Sequence, residues 1–243
     1  MKLHAGACLL AALAGCGLPG DGIECPHAPE LLWSDLNDQA SYPAVGLTRD
    51  RNCTVFLIAP TLAVTAAHCV DPDRSAHGAY FRNPVSGAWR LYAGRMIPHP
   101  NYGAEAYFEE GVSFRAATAD IAVIKLDQPV DDVQPAELGT TGDQPGVCAP
   151  VVVVGYAPSL SLAEQVEQSM ATAVVWVSPK VFRIRGSSRP GDSGGPVFSL
   201  SNGRAQVIGL VESRPVMGST SYSTYCANLL SPEPGYHDWI LSQ

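Results

Sequence analysis

The stretch Gly191-Asp192-Ser193-Gly194-Gly195-Pro196 decides how this sequence is interpreted. Glycines around a serine let the backbone bend so that consecutive N–H groups point at one spot, and they leave room for a substrate to approach. A serine hydroxyl is a poor nucleophile unless a base removes its proton and hydrogen-bond donors receive the developing oxyanion. A glycine-rich turn between strands is the alternative, but such a turn does not need six specified residues. The stretch therefore indicates a nucleophilic serine, Ser193.

Two motifs earlier in the chain offer a base and a carboxylate for this serine. In Thr65-Ala66-Ala67-His68-Cys69, small residues before the histidine leave space for its ring against neighbouring strands. Asp120 begins the apolar run Asp120-Ile121-Ala122-Val123-Ile124-Lys125-Leu126. An aspartate there can be buried beside a histidine, where it fixes the ring tautomer and stabilises the imidazolium. The remaining histidines are interpreted as structural or solvent-exposed, and they are His4, His27, His77, His99 and His237.

From Tyr42 onward the chain consists of short apolar runs separated by turn-forming residues. Hydrophobic residues make up 46%, with Gly 23 and Pro 20, a composition that favours an ordered body of many short strands. Strands at this spacing predict an all-β barrel or sandwich. The strand-like runs are Val55–Ile58, Ala63–Ala66, Ile121–Leu126, Val151–Val154, Ala173–Val177, Val181–Ile184, Val197–Leu200 and Val207–Val211. Only the end looks helical, at Tyr236–Leu241.

In the order His, Asp, Ser, the three motifs together resemble the chymotrypsin–trypsin family. The resemblance extends from about Tyr42 to the C-terminus. Further matches are Cys53 to Cys69, His99-Pro100-Asn101-Tyr102, Gly155-Tyr156, Gly209-Leu210-Val211 and Trp239-Ile240. What the resemblance implies is two six-stranded antiparallel β-barrels, 42–130 and 131–243, with a short C-terminal helix in the second. The first barrel would carry His68 and Asp120, and the second would carry Ser193.

The family's catalytic roles transfer to this sequence residue by residue. Ser193 would attack the scissile carbonyl, His68 would take and return the proton, and Asp120 would orient His68. The backbone N–H groups of Gly191 and Ser193 would form the oxyanion hole. These roles are inherited from the family. They predict a serine endopeptidase that acts on protein or peptide substrates through an acyl-enzyme intermediate.

The N-terminus is interpreted as a targeting segment. Met1-Lys2 supplies positive charge, and the apolar run from Leu3 to Ala14 is too short to span a bilayer as a helix, so residues 1–15 are predicted to be a signal peptide. Leu13-Ala14-Gly15-Cys16 resembles the lipobox of bacterial lipoproteins, with lipidation and membrane attachment at Cys16. An ordinary cleaved signal is the alternative. The expected location is an exported outer-membrane or cell-surface lipoprotein, otherwise periplasmic or secreted, with residues 16–41 as an irregular tether or arm.

Seven cysteines are present, and an exported protein meets an oxidising compartment where disulfides persist. Cys8 would leave with the signal peptide. Cys53 and Cys69 are the predicted pair, because they flank a strand-like stretch and a bridge there would pin the backbone that carries His68. Closing a loop of that size stabilises by about 3 kcal/mol in the chain-entropy model. The sequence does not choose among the pairings of Cys25, Cys148 and Cys226.

Charge and motif content exclude several classes of function. The formal net charge of −8 argues against a nucleic-acid partner, because phosphate binding needs clustered Lys and Arg. C-x-x-C and H-E-x-x-H spacings do not occur in the sequence, so neither a metal nor a cofactor is expected. A monomer is expected.

The chain departs from the family at the specificity pocket. Ser187 lies six residues before Ser193, where trypsin-like enzymes carry Asp, and this argues against a preference for Lys or Arg. Arg189 stands where the family has a cysteine of the pocket disulfide. Arg189 and Arg214 are expected near the entrance with Ser187, which suggests a hydrophobic or acidic residue at the cleavage position.

Two acidic residues depart from the family as well. No Arg or Lys followed by Ile-Val-Gly-Gly precedes the first barrel, so Asp192 needs a partner other than a newly freed N-terminus. Glu212 lies three residues after Gly209, where the family has Ser beside the catalytic Asp. The sequence leaves open whether Glu212 lies beside Asp120 or points outward. A non-catalytic binding module on the same fold and an esterase-like acyl hydrolase are the alternative functions.

Overall fold

The computed structural model describes residues 25, 32–35, 42–70, 77–109, 112–156, 166–199, 204–213, 223–233 and 235–243. The predicted signal peptide 1–15, the predicted lipidation site Cys16 and the predicted pocket residue Arg214 lie outside the described residues. Within the described ranges, no helix has the length and apolarity that a membrane span requires.

Sixteen strands and one α-helix form in the described part of the chain. They are β1 Leu32–Asp35, β2 Val45–Thr48, β3 Thr54–Ala59, β4 Leu62–Thr65, β5 His77–Arg82, β6 Trp89–Pro98, β7 Gly103–Glu109, β8 Val112–Thr118, β9 Ala122–Leu126, β10 Glu137–Leu138, β11 Pro150–Tyr156, β12 Glu167–Val177, β13 Val181–Arg185, β14 Pro196–Ser199, β15 Gln206–Ser213, β16 Ser223–Asn228 and α1 Tyr236–Leu241. Each strand-like run predicted from the sequence overlaps one of these strands, and the C-terminal helix is confirmed.

The first barrel is closed and antiparallel, in the order β2-β3-β4-β9-β6-β5. Successive side chains of a strand point to opposite faces, so Val55 and Leu57 of β3 point into the barrel while Phe56 points out of it. All three are fully buried. Phe56 is buried because the second barrel covers the outer face of β3. Phe81 and Ile124 complete the interior from β5 and β9.

The second barrel has the order β12-β11-β14-β15-β16-β13 and is closed by pairing between β12 and β13. Val151, Val153, Met170, Phe182 and Ile208 fill its interior. Strand β10 adds to it from outside, parallel to β15, and β7 and β8 form a separate hairpin. The predicted pair of six-stranded antiparallel barrels with a short C-terminal helix is therefore confirmed.

The two barrels share a core, and this fixes the junction at which the site forms. Phe56 and Val64 of the first barrel belong to one buried cluster with Val154 and Phe198 of the second. Helix α1 adds Ile240 to the same cluster. Close packing of such a core allows little sliding, so side chains at the junction are held at fixed separations.

The helix also packs on His99, one of the histidines that the sequence analysis interprets as structural or solvent-exposed. The ring of His99 lies 4.7 Å from that of Trp239 and 5.4 Å from that of Tyr236, both edge to face. His99 is buried, and this burial lowers its pKa. His99 therefore joins α1 to the first barrel.

The arm before the first barrel contains a strand where the sequence predicts irregular chain. Strand β1 pairs antiparallel with β12, with Leu32 opposite Ala171. The first half of β12 extends past the end of β13, which leaves the backbone N–H and C=O groups on that edge of β12 without a strand partner from β13. Strand β1 pairs with this edge. This part of the arm lies along the body of the protein.

Two disulfides form among the cysteines of the described residues. The predicted bridge between Cys53 and Cys69 is confirmed. Of the three cysteines that the sequence leaves open, Cys25 pairs with Cys148, and Cys226 is a buried free thiol. The Cys25–Cys148 bridge ties the N-terminal arm to the second barrel.

Candidate active site

His68 and Asp120 form a two-point contact at the edge of the first barrel. His68 lies in a single 3₁₀ turn, Ala67–Cys69, directly after β4. The backbone N–H of His68 donates to Asp120 Oδ1 at 2.8 Å, and its ring Nδ1 lies 2.6 Å from Asp120 Oδ2. A carboxylate can only accept, so the ring presents Nδ1–H to Asp120 and Nε2 remains as a proton acceptor.

A tight turn aims Asp120 at the histidine. Ala119 adopts a positive φ of 50°, and the N–H of Ile121 donates to the Ala119 carbonyl at 2.7 Å, which places Asp120 at the centre of a three-residue turn. Ile121 is fully buried and anchors the start of β9. The Asp120 side chain is 2% exposed and that of His68 is 35% exposed. The carboxylate is thus hidden while the ring meets solvent.

Ser193 lies in the same cleft as His68. His68 and Ser193 line it together with Gly191 and the disulfide between Cys53 and Cys69. The cleft contains residues of both barrels. Cys53, His68 and Cys69 bring together atoms of the kinds that bind metal ions. The disulfide uses both sulfur atoms, however, so neither cysteine offers a thiolate to a metal.

Glycine is required at two positions of the loop that carries Ser193. Gly191 has φ 96° and Gly194 has φ 80°, in the left-handed region that other residues avoid. A Cβ on Gly194 would collide with Thr65 Oγ1 and with the Thr54 carbonyl of the first barrel. The loop therefore approaches the first barrel more closely than any side chain would permit.

Thr54 of the first barrel holds this loop, and sequence reasoning missed it. Its N–H donates to the Ser193 carbonyl at 2.9 Å and its Oγ1 donates to the Gly191 carbonyl at 2.7 Å. Its Oγ1 also accepts from the Tyr156 N–H at 3.1 Å. A threonine after a cysteine carries no sequence signal for contacts with residues more than 100 positions away.

The predicted oxyanion donors are backbone groups of the same loop. Among the described residues, neither the Gly191 N–H nor the Ser193 N–H donates to a protein acceptor. Their carbonyls are turned to Thr54 instead. Both N–H groups therefore remain for another acceptor at the cleft.

Asp192 finds its partner inside its own loop. The Arg189 N–H donates to Asp192 Oδ2, and the Asp192 N–H donates back to the Arg189 carbonyl at 3.1 Å. Asp192 is fully buried, and a Cβ on Gly155 would collide with its carboxylate. These two bonds close a turn from Arg189 to Asp192 directly before Ser193.

The described pocket residues lie on the chain just before Ser193. Ser187 is partly buried and Arg189 is exposed, with its Nη1 donating to Gln168 Oε1 at 2.9 Å. Thr224 is a residue that sequence reasoning missed. It is fully buried, and its Oγ1 donates to the Gly186 carbonyl at 2.8 Å and accepts from the Ser188 N–H at 2.6 Å. Thr224 therefore fixes the backbone on both sides of Ser187.

Glu212 points inward, so of the two orientations that the sequence leaves open, the outward one is wrong. Glu212 is 2% exposed. Burial raises the pKa of Glu212 well above its usual range, and the negative charge of Asp120 raises it further. The same burial, together with Glu212, raises the pKa of the Cys226 thiol. Burial therefore favours the protonated, uncharged form of both Glu212 and Cys226.

The two-barrel fold is that of chymotrypsin-like serine proteases, and comparison with known proteins agrees. The trypsin family model matches residues 37–240, and the chain belongs to the trypsin family. Proproteinase E of Bos taurus is 26% identical over 216 residues, covering 77% of this chain and 81% of that protein. The structure of neuropsin, a serine protease expressed in the limbic system of mouse brain, superposes with a TM-score of 0.61 at 17% identity, covering 84% of this chain and 95% of that one. Neuropsin shares the fold.

Proposed function

We propose that this protein is an active serine endopeptidase with His68, Asp120 and Ser193 as its catalytic triad. The single observation that carries the proposal is the two-point contact of Asp120 with His68 in the cleft that Ser193 lines. Family membership supports a peptidase that acts on proteins or peptides. The retained triad distinguishes this proposal from a binding module on the same fold.

The chemistry follows from the tautomer that Asp120 imposes. His68 Nε2 accepts the Ser193 hydroxyl proton as Oγ bonds to the scissile carbonyl carbon. The C–N bond then breaks, and His68 returns the proton to the leaving amine. A water molecule attacks the acyl-enzyme by the same route and regenerates Ser193. Asp120 stays ionised and stabilises the imidazolium that forms twice in each cycle.

The N–H groups of Gly191 and Ser193 are proposed to receive the oxyanion of each tetrahedral intermediate. Thr54 supports this role, because it holds the carbonyls of both residues on the opposite side. Loss of one donor of this kind costs about 2.7–4 kcal/mol of transition-state stabilisation.

Labelling with a fluorophosphonate probe tests the triad. The probe should modify Ser193 in the wild-type protein, and H68A should slow labelling by about a thousandfold or more because the base is lost. Ser193→Ala should abolish labelling, whereas Ser86→Ala, which removes an exposed hydroxyl in the β5–β6 turn, should not. A wild-type protein that is folded but unlabelled would identify a binding module. Hydrolysis of simple esters without hydrolysis of peptides would identify an esterase.

We also propose that the specificity is not trypsin-like. Ser187 brings no negative charge to the pocket, and Thr224 holds the backbone around it. Arg189 adds positive charge close to cleft residue Gly191, and Arg214 is proposed to add more. A peptide-library profile should show hydrophobic or acidic residues at the cleavage position, and the acidic share should fall in R189A. A profile dominated by Lys or Arg would refute this specificity.

The membrane anchor at Cys16 remains a proposal that rests on the sequence motif. Cys25 is tied to the second barrel by its bridge to Cys148. From 16 to 25 the chain spans nine residues, which reach at most about 32 Å when extended. An anchored protein would therefore act close to the membrane surface. Metabolic labelling with an alkyne fatty acid in a bacterial host should mark the wild-type protein and leave C16A unmarked.

A further inference from the structure

Glu212 places a carboxyl group in the protein interior, where the residue is 2% exposed. It occupies the bulge of β15, where the pairing with β16 shifts between Val211 and Ser213. Its Oε2 is buried and has no hydrogen-bond partner among the described residues. An ionised carboxylate in such a place is strongly disfavoured, because the interior does not replace its hydration.

Three titratable groups interact electrostatically with Glu212, and each lies on or next to a different strand. Asp120 follows β8, against which β15 lies, Tyr102 precedes β7, and Cys226 is on β16. Asp120 supplies negative charge, and the other two are neutral groups whose pKa is raised by burial. The negative charge of Asp120 therefore disfavours a second ionised carboxylate nearby and favours the protonated form of Glu212.

A protonated carboxyl carries an O–H that needs an acceptor, and Asp120 offers the matching one. Each oxygen of Asp120 accepts one hydrogen bond from His68, which leaves lone pairs on both. We propose that Glu212 is a positioning residue, whose uncharged carboxyl donates its O–H to the Asp120 carboxylate and so holds the Asp120–His68 pair in place. This rests on the proposed function of that pair.

Glu212 would do two things for the site. It supplies, from the second barrel, a hydrogen-bond donor to the buried carboxylate of Asp120 in the first barrel. The orientation of Asp120 is then determined by both barrels. It also brings no second negative charge to Asp120, because a protonated carboxyl group is neutral. Two buried anions would stabilise the imidazolium of His68 too strongly and would push the two carboxyl groups apart.

Infrared spectroscopy tests the protonation state without using activity. At neutral pH, the difference spectrum between the wild-type protein and Glu212→Gln should contain the C=O band of a protonated carboxyl group. The same band should be present in Ser193→Ala and absent from Ser193→Ala combined with Glu212→Gln. No such band at neutral pH would mean that Glu212 is ionised, and the proposal would be wrong.

Kinetics test the hydrogen bond. The amide of Glu212→Gln can still donate to Asp120, so kcat/KM should stay within about threefold of wild type. Glu212→Leu has a similar volume and no donor, and it should lose about 10- to 100-fold in kcat with little change in KM. The acid limb of the kcat/KM profile should keep its position in Glu212→Gln, because an uncharged group replaces an uncharged one.

Three results would overturn the proposal. They are the missing infrared band, a folded Glu212→Leu as active as wild type, and an acid limb that moves to lower pH in Glu212→Gln. If Glu212→Leu does not fold, the infrared and Glu212→Gln results decide alone. Wild-type protein that fails to label with fluorophosphonate while still showing the band would refute the proposed function and leave the protonation of Glu212 established.

Discussion

The N–H of Thr54 donates to the Ser193 carbonyl at 2.9 Å, which joins the first barrel to the nucleophile loop of the second. The Thr54 hydroxyl adds a bond to the Gly191 carbonyl at 2.7 Å. Thr54 follows Cys53, whose disulfide partner Cys69 follows His68. One short segment of the first barrel is therefore connected to the proposed base, the proposed nucleophile and the proposed oxyanion donors.

Thr54→Val should reduce both stability and activity. It removes the bond to the Gly191 carbonyl and the bond from the Tyr156 N–H but keeps the backbone bond to Ser193, so the unfolding free energy should fall by about 2 kcal/mol. Because the loop is then less well fixed, kcat/KM should fall about tenfold, mostly in kcat. Steady-state kinetics and urea unfolding measure the two effects.

Thr172→Val is the matched control for Thr54→Val. Thr172 is also buried and its Oγ1 also donates to a carbonyl, that of Arg185 at 2.7 Å, within the second barrel. It should lose about 1 kcal/mol of unfolding free energy, for its single hydrogen bond, and keep wild-type kcat/KM. Equal kinetic losses in the two variants would show that Thr54 acts only through stability.

Removing the Cys53–Cys69 bridge should affect both stability and catalysis. The bridge closes a sequence separation of 16 residues, and its loss in C53A/C69A should cost about 3 kcal/mol. His68 precedes Cys69, so kcat should fall as well. C25A/C148A removes the other bridge, whose cysteines do not line the cleft. Its unfolding temperature should fall while kcat stays unchanged. A kcat loss confined to the second variant would contradict this division.

Gly194→Ala should disrupt the nucleophile loop. The new methyl group would meet Thr65 Oγ1 and the Thr54 carbonyl, and the residue would keep a φ of 80° that alanine disfavours. Fluorophosphonate labelling at Ser193 should become undetectable. Gly146→Ala, where nothing lies within 4 Å of the added Cβ, is the control and should label normally.

A second buried glutamate should make stability depend on pH. Glu167 begins β12 and accepts the Tyr156 O–H at 3.1 Å. Burial raises the pKa of Glu167 from 4.5 to about 8. The folded protein thus binds this proton more tightly than the unfolded chain. The stabilisation is complete below pH 4.5 and is lost as the pH rises through about 8.

Glu167→Gln should flatten that dependence. Across this window Glu167 contributes a slope of up to about 1.4 kcal/mol per pH unit, which the variant lacks. Part of the slope should persist, since the pKa of Glu212 is raised as well. Urea unfolding from pH 5 to 8 measures the slope, and Glu137→Gln at an exposed site is the control. An unchanged slope in Glu167→Gln would contradict the buried-acid interpretation.

The parts of the site that could be predicted are those written in short, contiguous motifs. His68, Asp120 and Ser193 each have local neighbours that identify them, and the Cys53–Cys69 bridge follows from its position beside His68. The strands could be predicted because apolar runs bounded by Pro and Gly report local structure.

Other features depend on contacts between distant segments and left no local signal. Thr54 reaches Gly191 across 137 positions, and Thr224 reaches Ser188 across 36. Strand β1 lies in a stretch that reads as irregular, since its pairing depends on the free edge of β12. The pairing of Cys25 with Cys148 likewise depends on where the arm crosses the second barrel.

The sequence by itself determined the all-β class, the two-barrel architecture through its family motifs, and which residues are candidates for the chemistry. The tertiary structure alone decided that Glu212 is buried, that Asp192 bonds to Arg189, and that Thr54 holds the nucleophile loop. The physical reason is that motif and strand pattern are local properties of the chain. Burial and hydrogen-bond partnership depend on which distant segment packs against each residue, and only the closed barrels and their shared core fix that.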